Sequence, residues 1–154
     1  MSVPEHLFRS PTRASIEALA QRFELPFDTS MQDWEWEVAD SGRIDAFLEA
    51  YRSGELDEDE RFTLMVTIIQ SFEDAPQAPE ADPRWREVLE LLTKSIDLHI
   101  STVWYWAATD HECLDEAWQV TPSIRKLLHE QSNKFAQQGV GGQPATRRES
   151  EIEP

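Results

Sequence analysis

The chain has 154 residues, 14 Lys/Arg against 30 Asp/Glu, a formal charge of −16 and 40% hydrophobic residues. That length and apolar content suit one domain with a real core and argue against wholesale disorder; the charge repels nucleic acid and anionic membrane and favours a cationic protein partner. No apolar run approaches the ~18 residues of a membrane span, MSVPEHLFRSPTR has no signal-peptide core, and the single Cys113 excludes an intramolecular disulfide and a multi-Cys zinc site, so a cytoplasmic protein without a cofactor is expected.

Ser10-Pro11 before TRASIEALAQRF has the pattern of a helix start, with Ser10 as cap and Pro11 at the first helical position. Ile16, Leu19, Ala20 and Phe23 share one face at helical spacing, and Leu25-Pro26-Phe27 ends the run. WEWEV alternates apolar and acidic residues as a strand does, but no second convincing strand exists to satisfy its backbone. Residues 33–39 are therefore expected to form a loop or a short helical lead-in. Asp40 or Ser41 caps the next helix, which carries Ile44, Phe47, Leu48 and Tyr51 and stops at Gly54. Asp57 and Glu60 form an acidic capping box, with first-turn carboxylates that suit the helix dipole. The helix they open places Phe62, Met65, Val66, Ile69 and Phe72 on one face, widened by Leu64 and Ile68, and is expected to be central and buried.

Residues 73–83 include Pro76, Pro79 and Pro83 and read as a loop, with Asp82-Pro83 repeating the cap-then-proline start. From Trp85 through Val88, Leu89, Leu92, Ile96, Ile100, Val103 and Ala107 the helical spacing persists. It is equally compatible with one long helix over 83–108 and with two helices broken near 94–96, because the β-branched Ile100, Thr102 and Val103 are poor helix formers. Residues 110–119 form a polar connector. Thr121-Pro122 then opens a last helix with Ile124, Leu127, Leu128 and Phe135 apolar. Residues 139–154, GVGGQPATRRESEIEP, have neither periodicity nor bulk and are expected to be a disordered tail. The expected fold is an all-α, single-domain helical bundle of five to seven helices over residues 1–138.

The acid is concentrated. Between 33 and 60 there are eleven Asp/Glu against Arg43 and Arg52, with Trp34 and Trp36 at the start. A surface built from Trp34, Glu35, Trp36, Glu37, Asp40, Asp57, Glu58 and Asp59 would steer a basic partner, and tryptophan is enriched at interface hot spots. The plainer reading is that residues 57–60 only cap a helix and the other carboxylates are solvated. Two tryptophans two apart cannot share a helix face, which leaves at least one of them for the surface. Asp110, His111, Glu112, Cys113 and Asp115 carry metal-ligand chemistry, but adjacent residues rarely converge on one ion, and a polar connector is the simpler reading. His99, on the apolar face, offers a general base; a buried histidine hydrogen-bonded to an oxygen is the commoner arrangement. Of the consecutive rings Trp104, Tyr105 and Trp106, at least one must leave the core side. Trp118 and Val120 suit an apolar staple onto the last helix. There is no phosphate loop, dinucleotide turn, HExxH or GxSxG, and scattered basic residues disfavour direct nucleic-acid binding.

The segments DERFTLMVTIIQSFED, LLTKSIDLHISTVWYWA and WQVTPSIRKLL, with the size and acidity of residues 33–130, resemble the small acidic all-α immunity proteins of bacterial polymorphic and contact-dependent toxin systems. The resemblance lies in composition, size and architecture. It implies a non-enzymatic inhibitor that binds a cognate toxin domain and blocks its active site or activation. A helical metal-dependent hydrolase using His99, His111 or the carboxylates is one alternative, and an acidic DNA mimic or regulatory module is another.

Overall fold

Helical periodicity becomes seven α-helices among the described residues, 8–108 and 118–141, of the computed structural model, and these residues contain no strand. The helices are α1 (Arg13–Phe23), α2 (Trp34–Glu37), α3 (Ile44–Arg52), α4 (Glu58–Glu73), α5 (Arg84–Lys94), α6 (Ile96–Ala107) and α7 (Thr121–Gly141), with single 3-10 turns at Ser41–Arg43 and Pro79–Ala81. The all-α bundle is as expected.

The ends of the helices follow from which side chains can reach back to the backbone. Thr12, and not Ser10, caps α1: its Oγ1 accepts from the Ser15 N–H at 3.1 Å, and Ser15 Oγ accepts from the Thr12 N–H at 3.2 Å. A cap at Ser10 would put Arg13 at the third position, and an arginine has no acceptor to return the bond. The Asp57–Glu60 box forms as expected, each side chain accepting from the other's N–H at 2.8 Å. Asp40 Oδ1 accepts from the Gly42 N–H at 2.8 Å and opens the 3-10 turn ahead of α3. Gly54, at φ 80°, follows α3 in a conformation that L side chains avoid. The apolar run from Trp85 to Ala107 divides at Ser95, whose φ −119° and ψ 45° are not helical, so residues 83–108 hold two helices. Residues 139–141, expected in the tail, continue α7, because extending a formed helix costs far less than starting one. Residues 142–154, and 109–117 of the connector, lie outside the described residues.

Helix α4 is the axis of the bundle and packs against α1, α2, α3 and α6, while α6 and α5 each pack on α7. The expected core face of α4 is buried throughout, with Met65, Ile68 and Ile69 fully enclosed. Leu19, Phe47, Val88, Leu92, Val103 and Ile124, from α1, α3, α5, α6 and α7, belong to the same buried core. Each such side chain contributes about 1.5–3 kcal/mol by leaving water.

A second stripe on α4 is polar and equally buried. Thr63, Thr67 and Ser71 recur every four residues, so they line one side of the helix. Thr63 Oγ1 shares a hydrogen bond with Ser15 Oγ of α1 at 2.8 Å. Thr67 Oγ1 donates to the Glu35 carbonyl at 2.8 Å. Ser71 Oγ donates to the Thr67 carbonyl at 2.8 Å and accepts from the Asp40 N–H at 3.0 Å. The Thr67 and Ser71 hydroxyls satisfy backbone groups that short α2 and its flanks cannot pair internally. Through them the acidic segment 33–40 is fastened to the core.

Candidate partner-binding surface

The tethered segment shows different faces to core and solvent. Trp34 lies in the main core, 1% exposed, and its Nε1 donates to the Pro26 carbonyl at 2.6 Å. The expectation that Trp34 meets a partner is therefore corrected: its ring is surrounded by protein and its donor is already used. Glu35 is also buried, 8% exposed, and lies in the wall of a small cavity below the open surface. No salt bridge or hydrogen bond from another residue reaches its carboxylate among the described residues. Burial pushes its pKa up; a bond from its own backbone N–H opposes this in part, and the charges of Asp33 and Glu37 add smaller upward pushes.

Trp36 takes the other side of α2. It is half-buried, rests on Phe62, Val66 and Leu98, and meets the Tyr105 and Trp106 rings at 5.1 and 5.9 Å. Trp118 continues the cluster, stacking on Tyr105 at 5.0 Å and meeting Trp106 edge-on at 4.8 Å. Of the three consecutive rings of α6, Trp106 is buried, Trp104 is half-buried and Tyr105 is 42% exposed, so one ring does leave the core side. Val120 is fully buried in the main core. Thr121 uses its hydroxyl to donate to the Trp106 carbonyl at 2.9 Å. Arg125 donates to the Ala107 and Ala108 carbonyls at 2.9 and 2.6 Å, binding the end of α6 to α7.

The carboxylates of 33–60 fall into two groups. Asp45, Glu55 and Asp59 pair with Arg84 at 3.0 Å, Arg22 at 2.7 Å and Arg9 at 3.7 Å, while Asp57 and Glu60 cap α4. For Asp57 and Asp59 the structural reading thus accounts for the residue. Exposed Asp40 is spent partly on its turn. Asp33, Glu37, Glu49 and Glu58 are exposed and make no ion pair among the described residues. Asp33 and Glu37 bracket Trp36 in sequence, and Glu58 sits one turn before the Phe62 on which Trp36 rests.

His99 belongs to the core. It has no solvent exposure, its Nε2 lies 2.6 Å from the Tyr51 hydroxyl, and its ring stacks on Phe62. Burial, with Arg61 and Arg9 adding repulsion, pushes its pKa down to about 3, so the ring is neutral at pH 7. A ring so enclosed meets no substrate. Tyr51 was legible only as an apolar position of α3, since its partner lies 48 residues away. The residues of the metal reading, Asp110, His111, Glu112, Cys113 and Asp115, lie outside the described residues, and the described residues hold no cluster of three metal-ligating side chains. No helix among them is long and apolar enough to cross a membrane.

The residues that sequence reasoning missed are Thr63, Thr67 and Ser71. Their signal is hydroxyls at i, i+4 and i+8 inside an otherwise apolar helix. No family model, curated protein or solved structure matches the chain.

Proposed function

We propose that the protein is a non-enzymatic inhibitor, an immunity protein acting in the bacterial cytoplasm, that neutralises a basic toxin domain by holding it on the acidic surface around Trp36. The observation that supports this is a half-buried tryptophan bracketed by exposed Asp33 and Glu37, which make no ion pair among the described residues, on a segment fastened to the core. An aromatic anchor with a charged rim is the usual anatomy of a protein interface: the anchor sets the dissociation rate and the rim sets the association rate. The net charge of −16 gives that rim its sign.

Capture from the native host, identification of the bound protein and binding kinetics at low and high salt test the proposal. Glu37→Lys with Glu58→Lys should slow association by roughly tenfold at low salt, with the difference shrinking as salt screens it. Trp36→Ala should speed dissociation by roughly thirtyfold or more. Co-expression should restore growth to cells producing the partner. An acidic partner, or unchanged association by the double lysine variant, refutes the electrostatic reading; failure to protect growth refutes the inhibitor role.

A further inference from the structure

Beside Trp36 the surface opens into a small cavity of about 150 Å³. Its walls include the rings of Trp36, Phe62 and Tyr105 and the exposed Phe8, and Glu35 and Thr102 also line it. Three features set it apart from an ordinary apolar dimple. The Glu35 carboxylate is largely withdrawn from water and has no cation opposite it among the described residues; the charges it feels are the like charges of Asp33 and Glu37. The one arginine on the rim, Arg9, is directed to Asp59 at 3.7 Å. The Thr102 hydroxyl, on a residue 5% exposed, has no hydrogen-bond partner among the described residues.

We propose that this cavity receives one cationic side chain, a lysine or arginine of the basic partner, with its alkyl stem between the aromatic rings and its charged head against Glu35. Aromatic faces attract a cation through their quadrupole, and the attraction grows as water is excluded. A carboxylate held in low dielectric without a counterion is stabilised by gaining one, whereas an apolar guest would leave it unpaired. The volume accommodates a single side chain and excludes a helix. The inference rests on the reading of a basic partner given above and specifies which of that partner's groups is anchored.

The probe is n-pentylammonium, a lysine side-chain mimic, compared with its neutral isostere 1-pentanol by titration into the full chain. The readout is the NMR signal of the Trp36 indole N–H, assigned by its loss in Trp36→Phe. Saturable shifts with the amine, at least tenfold weaker with the alcohol, are expected. Glu35→Gln should weaken amine binding by roughly tenfold, the scale of a charge-assisted contact, and leave the alcohol unaffected. Tyr105→Leu, which keeps an apolar wall but removes the π face, should weaken the amine selectively and guards against a folding defect in the first variant. Equal binding of the two probes, no saturable shift with either, or indifference to Glu35→Gln overturns the proposal. The amine experiment needs no partner, so its outcome is separate from the inhibitor reading. A protecting, basic partner whose affinity is unchanged by Glu35→Gln would sink the cavity and leave the inhibitor standing.

Discussion

Acidification should destabilise this protein in the range where most domains are indifferent, and His99 is the reason. The folded-state pKa of His99 is about 3 against 6.5 for an unperturbed histidine, first because the ring is buried and then because Arg61 and Arg9 repel a proton there. Between those two values the unfolded chain binds a proton at this position and the folded chain does not. Stability therefore rises with pH across the window and falls as pH drops below 6.5, by up to about 1.4 kcal/mol per unit. From pH 7 to pH 5 the loss amounts to about 2 kcal/mol, a large share of a total of ~5–15. Buried Glu35 and half-buried Glu73 have raised values, so they act with the opposite sign: their folded forms hold a proton longer than the unfolded chain does, which favours folding as pH falls through the carboxylate range. Urea unfolding at the two pH values measures the sum, and the same experiment on His99→Gln isolates the histidine. Glutamine keeps an acceptor for the Tyr51 hydroxyl and does not titrate, so the variant should be less stable at pH 7 yet lose about 2 kcal/mol less on acidification. Parallel losses in both proteins would refute the reasoning and show that His99 takes up its proton without unfolding the core.

Ile69→Asp, at a fully buried position in the middle of α4, puts an unpaired carboxylate into the core at a cost of several kcal/mol, so loss of the cooperative thermal transition is expected by calorimetry. Thr67→Val keeps the shape of the side chain but removes the donor to the Glu35 carbonyl; a loss of about 1–2 kcal/mol in urea with an unchanged slope is expected, together with a weakened near-ultraviolet dichroism signal from loosened tryptophans.

The elements were legible in the sequence because helices are local. The α4 box needs only Asp57 and Glu60, three residues apart, and its apolar face follows from the 3.6-residue repeat that aligns Phe62, Met65, Ile69 and Phe72. Where local signals competed, the sequence left the matter open or pointed wrongly. Ser10 and Thr12 both have the chemistry of a cap, and the choice fell to Thr12 because only Ser15 can return its bond. One helix or two across 83–108 could not be decided by periodicity, since both keep the same apolar face, and Ser95 divides the run.

What only the tertiary structure decided is the side of the protein on which each member of the acidic segment sits. Trp34 and Trp36 have the same chemistry and nearly the same neighbours in sequence. Trp34 is buried because the Pro26 carbonyl is in place to accept its N–H, and Trp36 turns outward onto Phe62 and Tyr105 because Thr67 holds the Glu35 carbonyl between them. Glu55 and Asp45 find Arg22 and Arg84 across 33 and 39 residues, while Glu37 and Glu58 find no such partner among the described residues. Helix formation depends on spacings of three and four residues, so the chain declares it locally. Pairing and burial depend on which surfaces α4 brings together, and that information is spread over the whole chain.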